Sequence, residues 1–200
     1  MEGIEWMAIR GKRQGEREQV VPERQWVDEA KNGSEVAMEQ LFRAYWPGAQ
    51  RAAYLVVRDW AAAEDIAQES FMAAIRSLDR FDRKRPFGPW FHRIVVNRSI
   101  DWSRARQSRR EVGDVSHDSK QATVEFSDPD PIARKQLLAA LGDLTPEHRG
   151  VIVLRYLFDY TPGEISQMLE EPRGTINSRM RRALDRLAES VNAPAKEVDE

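Results

Sequence analysis

A polar stretch at residues 111–131 restricts the fold of this 200-residue chain more than any other feature. It has almost no apolar periodicity and it ends in the run Asp128-Pro129-Asp130-Pro131. A segment of this composition buries too little apolar surface to offset the entropy lost on ordering, so we predict an acidic, flexible linker. The predicted organisation is a flexible N-terminal extension at 1–22, a domain at 23–110, the linker, a domain at 132–192 and a disordered tail at 193–200.

Both predicted domains have the pattern of α-helices. Apolar residues recur at three- and four-residue spacing, which places them on one side of a helix, and no segment of useful length has the two-residue period of a strand. Ser34, Asp59 and Thr145-Pro146 are typical helix starts, and Thr161 with Glu164 forms a capping-box pattern. The predicted fold class is therefore all-α, with two small helical domains joined by a flexible linker.

Three further signals place helix boundaries in the first domain. Asn32-Gly33 is typical of a helix end, because glycine adopts the left-handed conformation there. Pro47 suits the first turn of a helix, so we predict a break before it. A long helix is expected from about Trp90 to Gln107, after a polar segment closed by Pro86 and Pro89.

Composition excludes several classes of protein. The chain has no Cys, so it has neither a disulfide framework nor a thiolate metal site, and its three His lie in separate segments. No run of about 18 apolar residues occurs, so the chain is not expected to insert into a membrane by itself. A P-loop, a glycine-rich dinucleotide turn and a nucleophile–base pair are all missing from the sequence. We therefore expect a cytoplasmic protein that is not an enzyme and uses no cofactor or metal.

The net charge of −2 conceals two basic segments. Residues 76–110 contain eleven Lys and Arg against three Asp, and residues 173–186 contain five Arg against one Asp. The linker between them has six acidic residues and one Lys. A folded chain with this distribution can present basic faces to phosphate groups while it stays near neutral as a whole. The alternative is that both segments are solvated helix faces.

The segment from Thr161 to Arg182 has the pattern of a helix-turn-helix. A short helix, a tight turn and a second helix with Arg-rich outward positions are what entry into the major groove requires, and Arg and Asn make bidentate bonds to base edges there. Thr175 is predicted to cap the second helix, leaving free amides that can meet a phosphate. An ordinary helical hairpin with a solvated basic face is the alternative.

The stretch from Phe81 to Arg110 combines cations with aromatic residues. Bases of single-stranded nucleic acid stack on aromatic rings while the phosphates pair with Arg, so this mixture favours single-strand binding. Phe91 and Trp102 fall on the apolar stripe of the long helix and are predicted to lie in the core. The aromatic residues nearer the loop, Phe81, Phe87 and Trp90, are predicted to lie outside it.

An acidic face is predicted on the helix that follows Asp59. Glu64, Asp65, Gln68 and Glu69 lie opposite its apolar side. Spacing alone favours a solvated surface, and docking onto a basic helix of a partner is the alternative.

Several of these segments together resemble the extracytoplasmic-function group of bacterial sigma factors. Asp59–Phe71 resembles the helix of that family that docks on the clamp coiled coil of RNA polymerase, and Trp90–Asp101 resembles the helix that melts and reads the −10 element. The loop Phe81–Phe87 is similar to the family's pocket for a flipped base. Leu144–Arg149 and Gly174–Arg179 resemble the domain that binds the −35 element. The order of these motifs about a linker is more specific than any one of them.

The resemblance implies three sets of binding residues. The residues implied for core polymerase are Glu64, Asp65, Gln68, Glu69 and Phe71. Those implied for the −10 element are Phe81, Arg83, Lys84, Arg85, Trp90, Arg93, Asn97, Arg98 and Asp101. Those implied for the −35 element are Arg173, Thr175, Asn177, Ser178, Arg179, Arg181 and Arg182.

The resemblance also implies the partners. They are core RNA polymerase, through its clamp coiled coil and flap regions, promoter DNA, and an anti-sigma protein that holds the chain inactive. Asn177 stands where the family often has Lys or Arg, and Arg181 where it often has an apolar residue, so the preferred promoter sequence does not follow. Two other classes of function fit the pattern of residues alone: a stand-alone helix-turn-helix regulator, and a helical adaptor whose basic faces bind acidic proteins.

Overall fold

The computed structural model describes residues 20–111 and 131–192, and all regular structure in these two ranges is helical. Four helices precede the gap and four follow it. The extension before Val20, most of the predicted linker and the tail lie outside the described residues. The helices are α1 (Val20–Lys31), α2 (Glu35–Val57), α3 (Trp60–Ser77), α4 (Phe87–Glu111), α5 (Pro131–Gly142), α6 (Pro146–Tyr156), α7 (Pro162–Leu169) and α8 (Arg173–Asn192), with a 3-10 turn at Leu78–Arg80.

The predicted helix starts are confirmed by their hydrogen bonds. The Ser34 hydroxyl accepts a bond from the Ala37 amide at 3.3 Å, and the Asp59 carboxylate accepts one from the Ala62 amide at 3.1 Å. Thr161 forms the complete capping box, in which the Glu164 carboxylate accepts from the Thr161 amide at 2.7 Å. Each bond satisfies an amide that has no acceptor within its own helix.

The break predicted before Pro47 is wrong, because α2 runs through it. A proline inside a helix removes one backbone hydrogen bond and crowds the preceding turn. Pro47 is exposed, so this defect faces solvent. Leu41 and Ala49, on either side of it, are fully buried against the rest of the domain. Packing on the buried side thus keeps the two halves of α2 continuous.

Aromatic rings fill the centre of the first domain, where α2, α3 and α4 meet. Phe87 and Phe91 are stacked with ring centroids 5.7 Å apart, and the edge of Phe71 meets Phe91 at 6.0 Å. Tyr45 of α2 contacts both rings of α4. This cluster fixes α4, the helix with most of the proposed −10 residues, against α2 and α3.

The second domain packs against the first, which the prediction of a flexible linker between them did not anticipate. Helix α6 contacts α2 and α4, and α7 contacts α4. One continuous apolar core contains Val96 and Ile100 of α4 together with Val151 and Leu154 of α6. The prediction considered only the polarity of the linker. The helices themselves provide the apolar surfaces that bring the domains together.

Four glycines lie where the domains meet. A side chain at Gly150 would come within 2.9 Å of Ile100 and 3.0 Å of Val96, and one at Gly48 would meet the Phe158 ring at 3.3 Å. Gly88 lies near the Tyr160 hydroxyl, and Gly142 lies directly against the Arg58 guanidinium. Glycine therefore permits the close approach of helices at this interface. Within the described ranges, no helix is long and apolar enough to cross a membrane.

Candidate nucleic-acid interface

Helices α7 and α8 form the predicted helix-turn-helix. Helix α7 ends at Leu169, and its C-cap Glu170 adopts the left-handed conformation at φ 56°. Glu171 then forms an ion pair with Arg179 of α8 at 2.7 Å, which joins the turn to the second helix. Ile165 and Ile176, one on each helix, are fully buried. The pair of helices is thus a fixed unit that presents the outer side of α8.

Helix α8 begins at Arg173, so the prediction that Thr175 caps it is wrong. The Thr175 amide donates to the Pro172 carbonyl at 2.9 Å, and the Ile176 amide donates to the same oxygen at 3.2 Å. Thr175 therefore lies in the first turn and its amide is not free for a phosphate. The Pro172 carbonyl thus accepts the first hydrogen bonds of α8, which begins two residues earlier than the sequence predicted.

The outer side of α8 carries the other residues predicted for duplex DNA. Arg173, Asn177 and Arg181 follow at intervals of four and are exposed, as is Arg182. Ser178 donates its hydroxyl to the Thr175 carbonyl at 3.1 Å and is half-buried. Of this set, Arg179 is the residue that braces the turn. The remaining side chains form a polar, cationic stripe about two turns long.

The prediction that the loop aromatics lie outside the core is wrong for Phe81 and Phe87. Phe81 is 8% exposed and Phe87 is 1% exposed. Trp90 is half-buried and lies against Phe81, with centroids 4.8 Å apart. Aromatic side chains are more favourable in the core than in water, and the two Phe rings anchor the loop there. The loop presents to solvent its cations, Arg83, Lys84 and Arg85.

Polar residues of α4 face the second domain. Arg93 forms an ion pair with Glu170 at 2.8 Å, and Arg104 forms one with Glu147 at 2.6 Å. Asn97 lies between them on the same side of the helix and is half-buried. Asp101 is exposed and Arg98, on a neighbouring side, pairs with Glu69 of α3 at 3.0 Å. The proposed −10 face of α4 and the domain interface therefore overlap.

The acidic face of α3 is exposed as predicted. Glu64, Asp65, Gln68 and Glu69 all project away from the core. Phe71 does not belong to this face, because it is 8% exposed and packs edge-on against Phe42. Met72 is 48% exposed and lies one turn beyond Gln68 and Glu69. The sequence analysis did not single out Met72, although its i+4 spacing from Gln68 would have placed it on this face.

His92 is the residue whose role the sequence did not reveal. Its ring stacks on Phe158 at a centroid distance of 3.6 Å, and its Nδ1 lies 2.8 Å from the Tyr160 hydroxyl. Burial lowers the pKa of His92 to about 3, because the charged imidazolium would lose its hydration there. A lone His carries no signal in the sequence for a contact with residues more than sixty positions away.

Family models match both domains. The model for sigma-70 region 2 matches residues 41–109 and the model for sigma-70 region 4 matches residues 140–189. The first match contains α3 and most of α4, and the second contains the helix-turn-helix. The order of the two regions is that of the motifs in the sequence.

Curated relatives cover nearly the same length. The chain is 30% identical to the RNA polymerase sigma factor CarQ of Myxococcus xanthus over 168 residues, which are 84% of this chain and 97% of CarQ. It is 27% identical to the ECF RNA polymerase sigma factor SigW of Bacillus subtilis, over 82% of this chain and 94% of SigW.

A solved structure supports the same assignment. CnrH, solved in complex with the cytosolic domain of CnrY, superposes with a TM-score of 0.65 at 26% identity, over 87% of this chain and 99% of CnrH. Sequence, family models and fold thus agree. The chain belongs to the extracytoplasmic-function group of the sigma-70 family.

Proposed function

We propose that this protein is a dissociable initiation subunit of bacterial RNA polymerase. It binds core polymerase, contacts the −10 and −35 promoter elements with its two domains and promotes opening of the duplex. The observation that carries the proposal is the exposed polar stripe of α8, on a helix-turn-helix, in a chain that matches both sigma-70 regions.

The acidic face of α3 is the proposed contact with polymerase. This face presents three exposed carboxylates, of Glu64, Asp65 and Glu69, and the amide of Gln68. Such a face suits a basic helical partner such as the clamp coiled coil. Met72 adds an apolar side chain to the same face. The flap region is the proposed contact of the second domain.

The loop 81–87 and α4 are the proposed −10 site. Arg83, Lys84 and Arg85 provide charge for the phosphates of a single strand, and Trp90 and Asn97 lie on the adjoining side of α4. Phe81 and Phe87 support this surface from within. The duplex contacts at −35 are assigned to Arg173, Asn177, Arg181 and Arg182 of α8.

Regulation by a second protein is part of the proposal. CnrH, which shares the fold, was solved with the cytosolic domain of CnrY bound. We infer an anti-sigma partner that keeps this chain from polymerase until a signal arrives. The genes that it controls then belong to a stress or signal response. The protein acts in the bacterial cytoplasm on nucleoid DNA. Where its partner is a membrane protein, the inactive complex is held near the membrane.

Transcription with purified components tests the proposal. The protein is added to bacterial core polymerase and to fragmented genomic DNA of its source, and the 5′ ends of the transcripts are sequenced. We expect a set of discrete starts that share upstream elements and are not produced by core enzyme alone. A stand-alone helix-turn-helix regulator would bind duplex DNA without creating such starts, and that outcome would refute the proposal.

A further inference from the structure

Helix α1 contacts the 3-10 turn, the loop that follows it and the first residue of α4. The Lys31 ammonium donates to the Asp79 carbonyl at 2.7 Å, within the 3-10 turn that precedes the loop. In the middle of the loop, Asp28 pairs with Arg83 at 3.1 Å. At its end, the Glu23 carboxylate accepts a hydrogen bond from the Phe87 amide at 2.7 Å. Helix α1 thus holds the centre of the loop and the two elements that flank it.

Glu23 acts as a cap for α4 from a distant part of the chain. Phe87 is the first residue of α4, and the first amides of a helix have no acceptor within it. Because the capping group belongs to α1 and not to the preceding loop, the bond fixes the start of α4 relative to another helix.

An open cleft lies between α1 and the loop. Glu23, Arg24 and Asp28 line one wall, Arg83 and Arg85 line the other, and the buried rings of Phe81 and Phe87 contribute to its floor. The shape of the surface that the loop presents therefore depends on α1 as much as on the loop.

We infer that α1 is a positioning element for promoter recognition, with Glu23 as its principal residue and Asp28 as a weaker second one. This inference rests on the proposed function, in which the loop and α4 read the −10 strand. Glu23 holds the loop and the first turn of α4 in the one relative placement that selects a base.

A selection experiment separates this role from simple stabilisation. Holoenzyme is assembled from core polymerase and the full chain, and it is offered single-stranded oligonucleotides randomised over six positions. Bound strands are sequenced to give the base preference at each position. Four variants are compared with wild type: Glu23→Ala, Glu23→Gln, Asp28→Ala and Glu29→Ala. Each removes one negative charge, so general attraction to DNA rises equally in all four.

The expected pattern depends on the hydrogen bond and not on the charge. Glu23→Ala should reduce the strongest base preference at one position by about threefold or more, the range expected for a lost helix cap. Glu23→Gln keeps an oxygen that accepts from the Phe87 amide, so it should retain the wild-type preference. Glu29 is exposed, and its carboxylate accepts a bond from Gln25 on its own helix, so Glu29→Ala should also behave as wild type.

Each contrary result has one meaning. If Glu23→Ala selects the wild-type motif with undiminished strength, the inference is overturned. If Glu23→Ala and Glu23→Gln lose base preference equally, the inference is also overturned, because the hydrogen bond to the Phe87 amide would then not set that preference. Should Glu23→Ala fail to fold by circular dichroism, Asp28→Ala carries the test, since its ion pair is exposed and its loss should weaken the same position. Wild-type holoenzyme that selects no motif would instead refute the proposed −10 function.

Discussion

His92 stands between the two domains with its ring stacked on Phe158 and its Nδ1 beside the Tyr160 hydroxyl. At the scale of single residues, the sequence was informative where the interaction was local. The caps at Ser34, Asp59 and Thr161 could be identified because acceptor and donor lie three residues apart. His92 could not, because its partners belong to another domain and stacking of this kind leaves no periodic signal.

Acid should weaken the docked structure through His92. Its folded pKa is lowered to about 3 from 6.5, so the unfolded chain takes up a proton at a pH where the folded chain does not. Above pH 6.5 the ring is neutral in both states, so His92 does not lower the free energy of unfolding. As the pH falls from 6.5 toward 3, protonation of the unfolded chain alone lowers that free energy. Unfolding monitored by circular dichroism should show a loss on the order of 1–2 kcal/mol between pH 7 and pH 5.

A His92→Gln variant provides the control for this pH dependence. It should remove most of the slope between pH 7 and pH 5, whatever its effect on stability at pH 7. Some slope remains expected from His148, because burial and then the charge of Arg179 lower its pKa as well. An unchanged slope in the variant would show that other groups control the acid response.

A second residue-scale prediction concerns Arg182. It is exposed on α8 beside the Arg173–Arg181 stripe. If it contacts a base edge, Arg182→Ala should cost about 1–3 kcal/mol of binding to the upstream duplex and leave the affinity for core polymerase unchanged. Fluorescence anisotropy at fixed salt measures both. Arg43→Ala, an exposed cation of α2 that pairs with Glu39, is the charge-matched control. Equal binding by wild type and Arg182→Ala would remove Arg182 from the interface.

At the scale of the helix, α2 and α8 show where sequence patterns reach their limit. Local rules assigned a helix start to Pro47 and another to Thr175, but α2 runs through Pro47 and α8 begins two residues before Thr175. The long helix α4 was predicted from about Trp90 but begins at Phe87, because the distant carboxylate of Glu23 caps it there. Periodicity identified the helices; contacts between helices set their ends.

The acidic face of α3 leads to a prediction at this scale. Asp65→Arg combined with Gln68→Ala should weaken binding to core polymerase at least tenfold, because it reverses charge at the centre of the face. Both side chains are exposed, so circular dichroism and melting should stay as in wild type. Glu39→Arg on α2 is a charge reversal outside the face and serves as the control. Unchanged co-purification of the double variant with core enzyme would contradict the assignment.

At the scale of the whole molecule, the domain interface is the feature that the sequence did not predict. A hydrophobic pattern shows that a helix has a buried side, but it does not say which domain covers that side. Val151 and Leu154 of α6 belong to a core that continues into α4. The glycines at the interface gave even less indication of domain packing, because a glycine within a helix ordinarily indicates only a lower helix propensity.

Gly150 allows a direct test of this closed arrangement. Gly150→Leu places a side chain where Val96 and Ile100 already lie, so the domains should separate while both remain helical. A side chain at Gly163 would meet only the Thr161 hydroxyl, at 3.9 Å, so Gly163→Leu is the matched control. Small-angle scattering should show a larger radius of gyration for Gly150→Leu alone. Identical profiles for both variants would contradict the closed arrangement.

The ion pairs that join Arg93 to Glu170 and Arg104 to Glu147 have a consequence for affinity. Under the proposed function, a promoter strand that uses the Arg93 side of α4 binds only molecules whose second domain has moved away. The apparent dissociation constant then equals the intrinsic one divided by the open fraction, so every 1.4 kcal/mol of domain docking weakens it about tenfold. A variant such as Gly150→Leu, whose fold is impaired only at the interface, would therefore bind single-stranded promoter DNA more tightly than the natural protein.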